Sequence, residues 1–233
     1  MRGKMGDLNE QEFAALRALD TPTVCNAIEI VDPNRRLAGF TTAPLVCARP
    51  NLPPMVGYAV TATVRATKTS PEAGATRATY LEHLAASSRP TIAIIHDIDP
   101  EPGFGAFWGE VNTAVHSALG CIGTVTNGSI RDLDECAEGF QLLAGQIGPS
   151  HGYIHVVESN IEVIVAGMTV NPGDVIHADK HGAVVIPANT ALAVAEAADL
   201  ITRREAVVLS AARAPEATLG KIKQAMAESA KIN

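Results

Sequence analysis

Apolar residues recur along this chain in two periods, and the periods divide it into elements. Over residues 110–119 they fall at Val111, Ala114, Val115, Ala118 and Leu119. This is the i, i+3, i+4, i+7, i+8 spacing of an amphipathic helix, and Gly120 stops it. Residues 122–126 predict a short strand that ends at Asn127-Gly128, a turn dipeptide. Ser129, with Asp132 three residues on, reads as a helix N-cap with an acidic partner. Arg131 and Asp132 then fall in the first turn of a helix that continues to about residue 138, where Gly139 ends it.

The same reading extends in both directions. Residues 1–7 are expected to be disordered, and 8–19 predict a helix that packs through Leu8, Phe13, Leu16 and Leu19. Thr21-Pro22 starts a second helix, with Thr21 as cap and proline at its first position, running to about residue 30. Residues 32–56 hold five of the 14 prolines and read as irregular chain with a short strand near 45–48. Residues 57–67 alternate and are rich in β-branched side chains, hence a strand. Residues 75–87 predict a helix with Leu81, Leu84 and Ala85 inward. TIAIIH at 91–96 is a continuous apolar run, as a parallel strand buried on both faces requires. Residues 97–109 form a glycine- and aromatic-rich loop with the only tryptophan, a natural lid or pocket wall.

Farther on, strands are expected at 140–144, 153–157, 162–165, 175–178 and 183–186, with a glycine-rich loop at 145–152 and turns at 172–174 and 179–182. Asn189 caps an alanine-rich helix to about residue 212, and another helix covers 217–231. The fold class is α/β: one domain, with N-terminal helices over 1–31, a core over 32–187 and a C-terminal helical extension over 188–233.

Composition narrows the classes of partner. Apolar residues make up 47% and charged residues 18%, as in a folded globular protein. Only 4% is aromatic, so the core is built from Ala, Val, Ile and Leu. A net charge of −7 argues against direct binding of nucleic acid. Cys25, Cys47, Cys121 and Cys136 make no C-x-x-C pair and read as buried, reduced thiols of a cytoplasmic protein. No apolar run reaches the roughly 18 residues of a membrane span, and the N-terminus lacks the apolar core of a signal peptide.

The chemistry concentrates between residues 109 and 132. Helix N-termini at Gly109-Glu110 and at Ser129 would present free N–H groups, which suit an anion. Ligands of parallel sheets bind outside the carboxyl ends of the strands, and Arg131 and Asp132 directly follow such an end. With Glu110 at the mouth of the neighbouring strand, three charged side chains would converge. Two carboxylates supply hard oxygen ligands for Mg²⁺ or Mn²⁺, and arginine grips a carbonyl or carboxylate oxygen. The bland alternative is that Asp132 complements a helix dipole and Arg131 is solvated.

Elsewhere the signals are weaker. Arg65 and Lys68 either help to hold an acidic substrate or form a solvated face. His177, Asp179 and His181 invite a metal reading, but a tight hairpin at Gly182 accounts for them better. His151 and His155 lie four apart where no helix is predicted. His116 falls on the polar side of its helix and is expected to be exposed. Gly103-x-Gly105 lacks the full dinucleotide fingerprint.

The motif G-E-x(9)-G-x(7)-G-x-x-R-D over residues 109–132 resembles that of the RraA-like family. VNPGDVIHADKHGAVVIP at 170–187 is similar to the family's PGD hairpin, and GYAVTATV at 57–64 is a weaker match. The family contains class II pyruvate aldolases, which cleave 4-hydroxy-4-methyl-2-oxoglutarate and 4-carboxy-4-hydroxy-2-oxoadipate. It also contains non-catalytic regulators of RNase E. The resemblance implies a β/β/α core like the phosphohistidine swivelling domain. It implies cleavage of a 4-hydroxy-2-oxo acid to pyruvate with Mg²⁺ or Mn²⁺, and oxaloacetate decarboxylation as a related activity.

By position it makes Asp132 the metal ligand, Arg131 the donor to the C2 oxygen, and Glu110 the group that orients or deprotonates a water at the metal. The backbone at Gly109, Val111 and Asn112 would take the substrate carboxylate. It also implies a homotrimer or hexamer in which Glu205 of one subunit reaches the neighbour's site. The aldolases carry aspartate where this chain has Glu110, although glutamate occurs in other relatives; the extra methylene moves the carboxylate by about a bond length. The regulator form ends shortly after the PGD hairpin. Here 46 residues follow Pro187, as in the aldolase form, so an enzyme is expected. A methyltransferase reading finds no glycine-rich nucleotide loop after the first strand.

Overall fold

The computed structural model describes residues 8–187 and 189–232, so the expectation of disorder for 1–7 lies outside the described residues. Helix α1 (Glu10–Arg17) starts at Asn9, whose side chain accepts from the Gln11 and Glu12 N–H groups while Glu12 bonds back, a complete capping box. Helix α2 (Thr21–Val31) has Pro22 in its first turn, but Asp20 rather than Thr21 is its cap. The Thr21 N–H instead donates to Asp179 Oδ2 at 3.0 Å. A 3-10 turn, Pro33–Leu37, follows.

The main sheet is built around the long apolar strand β2 (Met55–Arg65) and the run anticipated as buried, β3 (Thr91–Asp97). They pair in parallel, and β5 (Cys121–Thr126) and β7 (Gln141–Ala144) continue the parallel set. The short β1 (Val46–Cys47) closes the β7 edge in antiparallel. On its other edge β2 is long enough for two partners. Its first half takes β12 (Val175–Asp179), which pairs with β13 (Gly182–Ile186), and its second half takes β9 (His155–Ser159). The hairpin of β10 (Val163–Val165) and β11 (Met168–Val170) packs its buried residues against the sheet. Helix α3 (Ala73–Ala86) buries Tyr80 and Leu84; Ala85, expected inward, is exposed.

Beyond the carboxyl ends of the parallel strands lies a second sheet that the sequence does not announce. β3 leads into β4 (Ala106–Trp108), β5 into β6 (Ser129–Ile130), and β7 into β8 (Gln146–Ile147), all three parallel. This corrects two expectations. Residues 97–109 are not a free loop, because Phe107 and Trp108 are buried in β4, and of the three aromatic residues there Phe104 alone is exposed. Nor does a helix start at Ser129: pairing with β4 and β8 satisfies that backbone, which a helix would have to break. Asp132 takes φ +51°, outside the helical region, and its carbonyl accepts from the N–H groups of Glu135 and Cys136 in an isolated turn.

Helix α4 (Glu110–Ala118) forms as expected but faces the other way. Of its apolar stripe, Val111 (68%), Ala114 and Ala118 are exposed and only Val115 and Leu119 are half-buried, while Thr113 and His116 are fully buried. His116, expected in solvent, sits among Tyr80, Phe107 and Trp108 with both ring nitrogens bonded, which removes the cost of burying it.

The final helices are α5 (Ala191–Arg213) and α6 (Leu219–Ser229). Thr190, not Asn189, is at the N-cap of α5. Val194, Ala197 and Ala198 bury against the N-terminal helices of the same chain. The Ser229 hydroxyl at the end of α6 donates to the Arg204 carbonyl of α5, and Arg204 Nε donates to the Ile232 carbonyl just past α6, which pins the two helices together. Among the described residues, no helix is long and apolar enough to cross a membrane.

Candidate functional site

The site is assembled where β6 ends beside the start of α4. Parallel pairing of β4 with β6 continues one residue past the strand: the Arg131 N–H donates to the Trp108 carbonyl at 3.0 Å. That register sets Arg131 and Asp132 against Gly109, the N-cap of α4. A Cβ added at Gly109 would lie 2.6 Å from Asp132 Oδ2 and 3.2 Å from Arg131 Cγ. The glycine therefore makes room for the carboxylate. Its own backbone (φ −173°, ψ −165°) is extended and would accept any residue.

Asp132 Oδ2 receives the Glu110 N–H at 3.4 Å and lies 3.5 Å from Arg131 Nη2. Both contacts are longer than a strong hydrogen bond, and both side chains are about one-third exposed, so the pair contributes little to stability. The carboxylate is held but not consumed. Arg131 and Asp132 line an open cleft of about 430 Å³ with Leu133, Ile147, Gly148 and Pro149. Glu110 is exposed at the same helix start.

The N–H groups of Val111 and Asn112 belong to the first turn of α4, where no intrahelical acceptor exists. The Asn112 side chain is already committed, accepting from Arg77 Nη2 at 2.8 Å and donating to the Phe107 carbonyl. Only its backbone N–H is open to a ligand. Beneath this turn, His116 Nδ1 faces the Asn112 carbonyl at 2.6 Å, so Nδ1 is the donor. Nε2 then accepts from the Tyr80 hydroxyl at 2.9 Å. Burial holds this ring neutral and pushes its pKa down to about 4.

As for a metal, the donor set is one aspartate carboxylate with a glutamate at the adjoining helix start. Among the described residues, no group of three or more His, Cys, Asp or Glu is placed to hold an ion. A single carboxylate on an open cleft suits Mg²⁺ or Mn²⁺, which keep several waters and take substrate oxygens to complete an octahedron. It does not suit zinc, whose catalytic sites take three protein ligands and whose structural sites take four, more than the described residues bring together here.

The remaining candidates separate from the site. Glu205 is exposed on α5, which packs on α1, α2 and α6 of its own chain. Arg65 lies 3.9 Å from Asp99, a buried carboxylate that ties off the end of β2 through the Ala66 and Thr67 N–H groups. Lys68 is exposed. His177 bonds the Leu16 and Leu19 carbonyls and the Thr21 hydroxyl, so with Asp179 it fastens the N-terminal helices to the β12–β13 hairpin. A smaller cavity of about 220 Å³ at that hairpin includes Asp179, whose oxygens are already bonded to Thr21 and His181. Sequence reasoning missed Arg49 and Thr113, which brace the loop carrying Asp132. The partners of Arg49 are 84 to 91 positions away, so no local pattern marks it.

Over 85 residues the chain is 34% identical to Protein DlpA of Legionella pneumophila, a match that spans only 14% of DlpA. An uncharacterized protein from Pseudomonas syringae pv. tomato superposes with a TM-score of 0.73 at 18% identity, covering 96% of this chain and 98% of the other. Streptomyces coelicolor RraAS2, an unusual member of the RNase ES inhibitor RraA protein family, superposes with a TM-score of 0.68 at 18% identity, covering 86% and 96%. At such identities the likeness concerns the fold. Residues 14–185 match the family described as Aldolase/RraA, and the chain therefore belongs to the RraA-like family.

Proposed function

We propose that this protein is a divalent-metal-dependent carbon–carbon lyase on 2-oxo acids. It cleaves a 4-hydroxy-2-oxo acid to pyruvate and a carbonyl fragment, and decarboxylates oxaloacetate through the same pyruvate enolate. The observation that carries this reading is the Asp132 carboxylate, held in the space left by Gly109 and flanked by Arg131 on an open cleft. Asp132 would hold Mg²⁺ or Mn²⁺, which when bound supplies Lewis-acid stabilisation of charge on the 2-oxo group.

The chain's own groups do the rest. The Val111 and Asn112 N–H groups at the start of α4 receive the C1 carboxylate. Arg131 donates to the C2 oxygen, where negative charge grows as the C3–C4 bond breaks and its electron pair moves into the enolate. Glu110, exposed and adjacent, takes the C4 hydroxyl proton by way of water and returns it to C3, leaving pyruvate. The exposed Val111, Ala114 and Ala118 of α4 support assembly as a homotrimer or hexamer, in which Glu205 of a neighbour completes the site. The four unpaired cysteines suit the cytoplasm.

A coupled pyruvate-release assay tests the proposal, run over a panel of 4-hydroxy-2-oxo acids and oxaloacetate with Mg²⁺, Mn²⁺ or EDTA. Metal-dependent pyruvate from at least one of them is expected. The alternative, a non-catalytic regulator of the RNase E inhibitor type, yields none from any.

A further inference from the structure

Asp132 has no helix to hold it. Its left-handed backbone, φ +51°, is a conformation that a non-glycine residue keeps only when its surroundings enforce it. The loop that follows, residues 133–140, has carbonyls without strand or helix partners, and a single guanidinium collects them. Arg49 Nη1 donates to Ala137 O at 2.5 Å and Phe140 O at 3.2 Å, and Nη2 donates to Cys136 O at 2.7 Å and Leu133 O at 3.5 Å. The carbonyl of Arg49 is itself fixed by Gln141 Nε2 at 3.0 Å, which ties the arginine to the edge of the main sheet.

The other flank of the same loop is tied to α4. Thr113 Oγ1 accepts the Ala137 N–H at 3.0 Å and faces the carbonyls of Gly109 and Glu110, each at 2.9 Å. One hydroxyl thus joins the loop after Asp132 to the turn that carries Glu110. Thr113 is fully buried and the guanidinium of Arg49 is partly so, so neither clamp is exchanged freely for water.

We propose that Arg49 and Thr113 are positioning residues that clamp the 133–140 loop between the sheet edge and α4, and so set the Asp132 carboxylate at its place beside Glu110. This rests on the metal-dependent reading above. Neither residue touches substrate; both act through Asp132. The residue types follow from the task. Four carbonyls in one fan need the planar fork of arginine, which lysine cannot reproduce with its three donors on one point. The threonine must accept from one element while donating to another, which valine of the same shape cannot do.

The test uses Mn²⁺ binding, read from the electron paramagnetic resonance of the free ion, in wild type, Arg49→Lys, Thr113→Val and Thr113→Ser. It is paired with hydrogen exchange at the Glu135 and Cys136 amides, which donate to the Asp132 carbonyl. Arg49→Lys and Thr113→Val should weaken Mn²⁺ binding about tenfold or more, the usual effect of removing support behind a ligand. Both should speed exchange at Glu135 and Cys136 while strand β3 stays protected, and Thr113→Ser should restore both readouts.

If Arg49→Lys does not fold, Thr113→Val and Thr113→Ser carry the test alone. Wild-type affinity and exchange in Thr113→Val and Arg49→Lys would overturn the proposal. So would faster exchange spread equally over β3, which would mean global destabilisation only. If wild type itself binds no Mn²⁺, the metal reading falls; exchange then decides the clamp, and unchanged exchange at Glu135 and Cys136 overturns it.

Discussion

Gly109→Ala should remove activity while leaving the fold in place. The added Cβ would stand 2.6 Å from Asp132 Oδ2, and ordinary contact begins at 3.4 Å, so the carboxylate must retreat by about 0.8 Å. It can do so, because Asp132 is one-third exposed and its contacts to Glu110 and Arg131 are weak. Gly109 itself is buried, but its Cβ would meet only side-chain atoms of Arg131 and Asp132, so the cost in stability should be about 1 kcal/mol. A misplacement of about 1 Å in a reacting constellation costs about 10²-fold in rate, or about 2.7 kcal/mol of barrier. Pyruvate release at saturating Mg²⁺, alongside a urea-unfolding midpoint, measures both. Gly57→Ala is the contrasting control. Its Cβ would meet the Pro90 carbonyl at 2.6 Å inside the sheet, where nothing swings aside, and stability should fall by about 1–3 kcal/mol. Wild-type turnover in Gly109→Ala, with the alanine confirmed, would refute the idea that this glycine makes room for a working carboxylate.

EDTA should abolish turnover and Mg²⁺ or Mn²⁺ restore it, and Asp132→Asn should raise the metal concentration needed; full activity in metal-free protein would contradict both. Arg131→Lys keeps the charge but loses the planar fork, and kcat should drop by about 10²-fold or more, the scale of losing one oxyanion donor. His116 is neutral in the fold with its pKa at about 4 against an ordinary 6.5, so its stabilising effect is complete above pH 6.5 and is lost as pH falls toward 4. The full swing is about 3 kcal/mol, and His116→Gln should flatten that part of the unfolding profile. If Glu205 completes a neighbour's site, mixing inactive Glu205→Ala and Asp132→Ala proteins under subunit exchange should restore some activity. A monomer by light scattering would exclude that.

What could be read from the sequence depended on the length of each element and the distance to its partners. The run TIAIIH announced β3 because a strand apolar on both faces is buried on both faces. Helix α4 was legible as a helix, but not in its orientation. Periodicity says that one face is apolar and does not say which face meets the core, and here hydrogen-bonded Thr113 and His116 take that place. The second sheet was invisible, since its strands have two or three residues and pair across gaps such as Ala106 with Ser129. That same sheet defeats the helix expected at Ser129. Gly109, Arg131 and Asp132 were found by motif, yet the reason for the glycine appears only when its missing Cβ is placed against the carboxylate.

The central claim, that this site makes a pyruvate enolate, can be tested without knowing the C4 substituent. Pyruvate alone, incubated with the protein and Mg²⁺ in D₂O, should lose its methyl proton signal as the enolate forms and is deuterated at C3. The account predicts exchange well above the protein-free rate, abolished by EDTA and by Asp132→Asn. A methyl signal that decays no faster than the blank, at saturating Mg²⁺ and pyruvate, would contradict it.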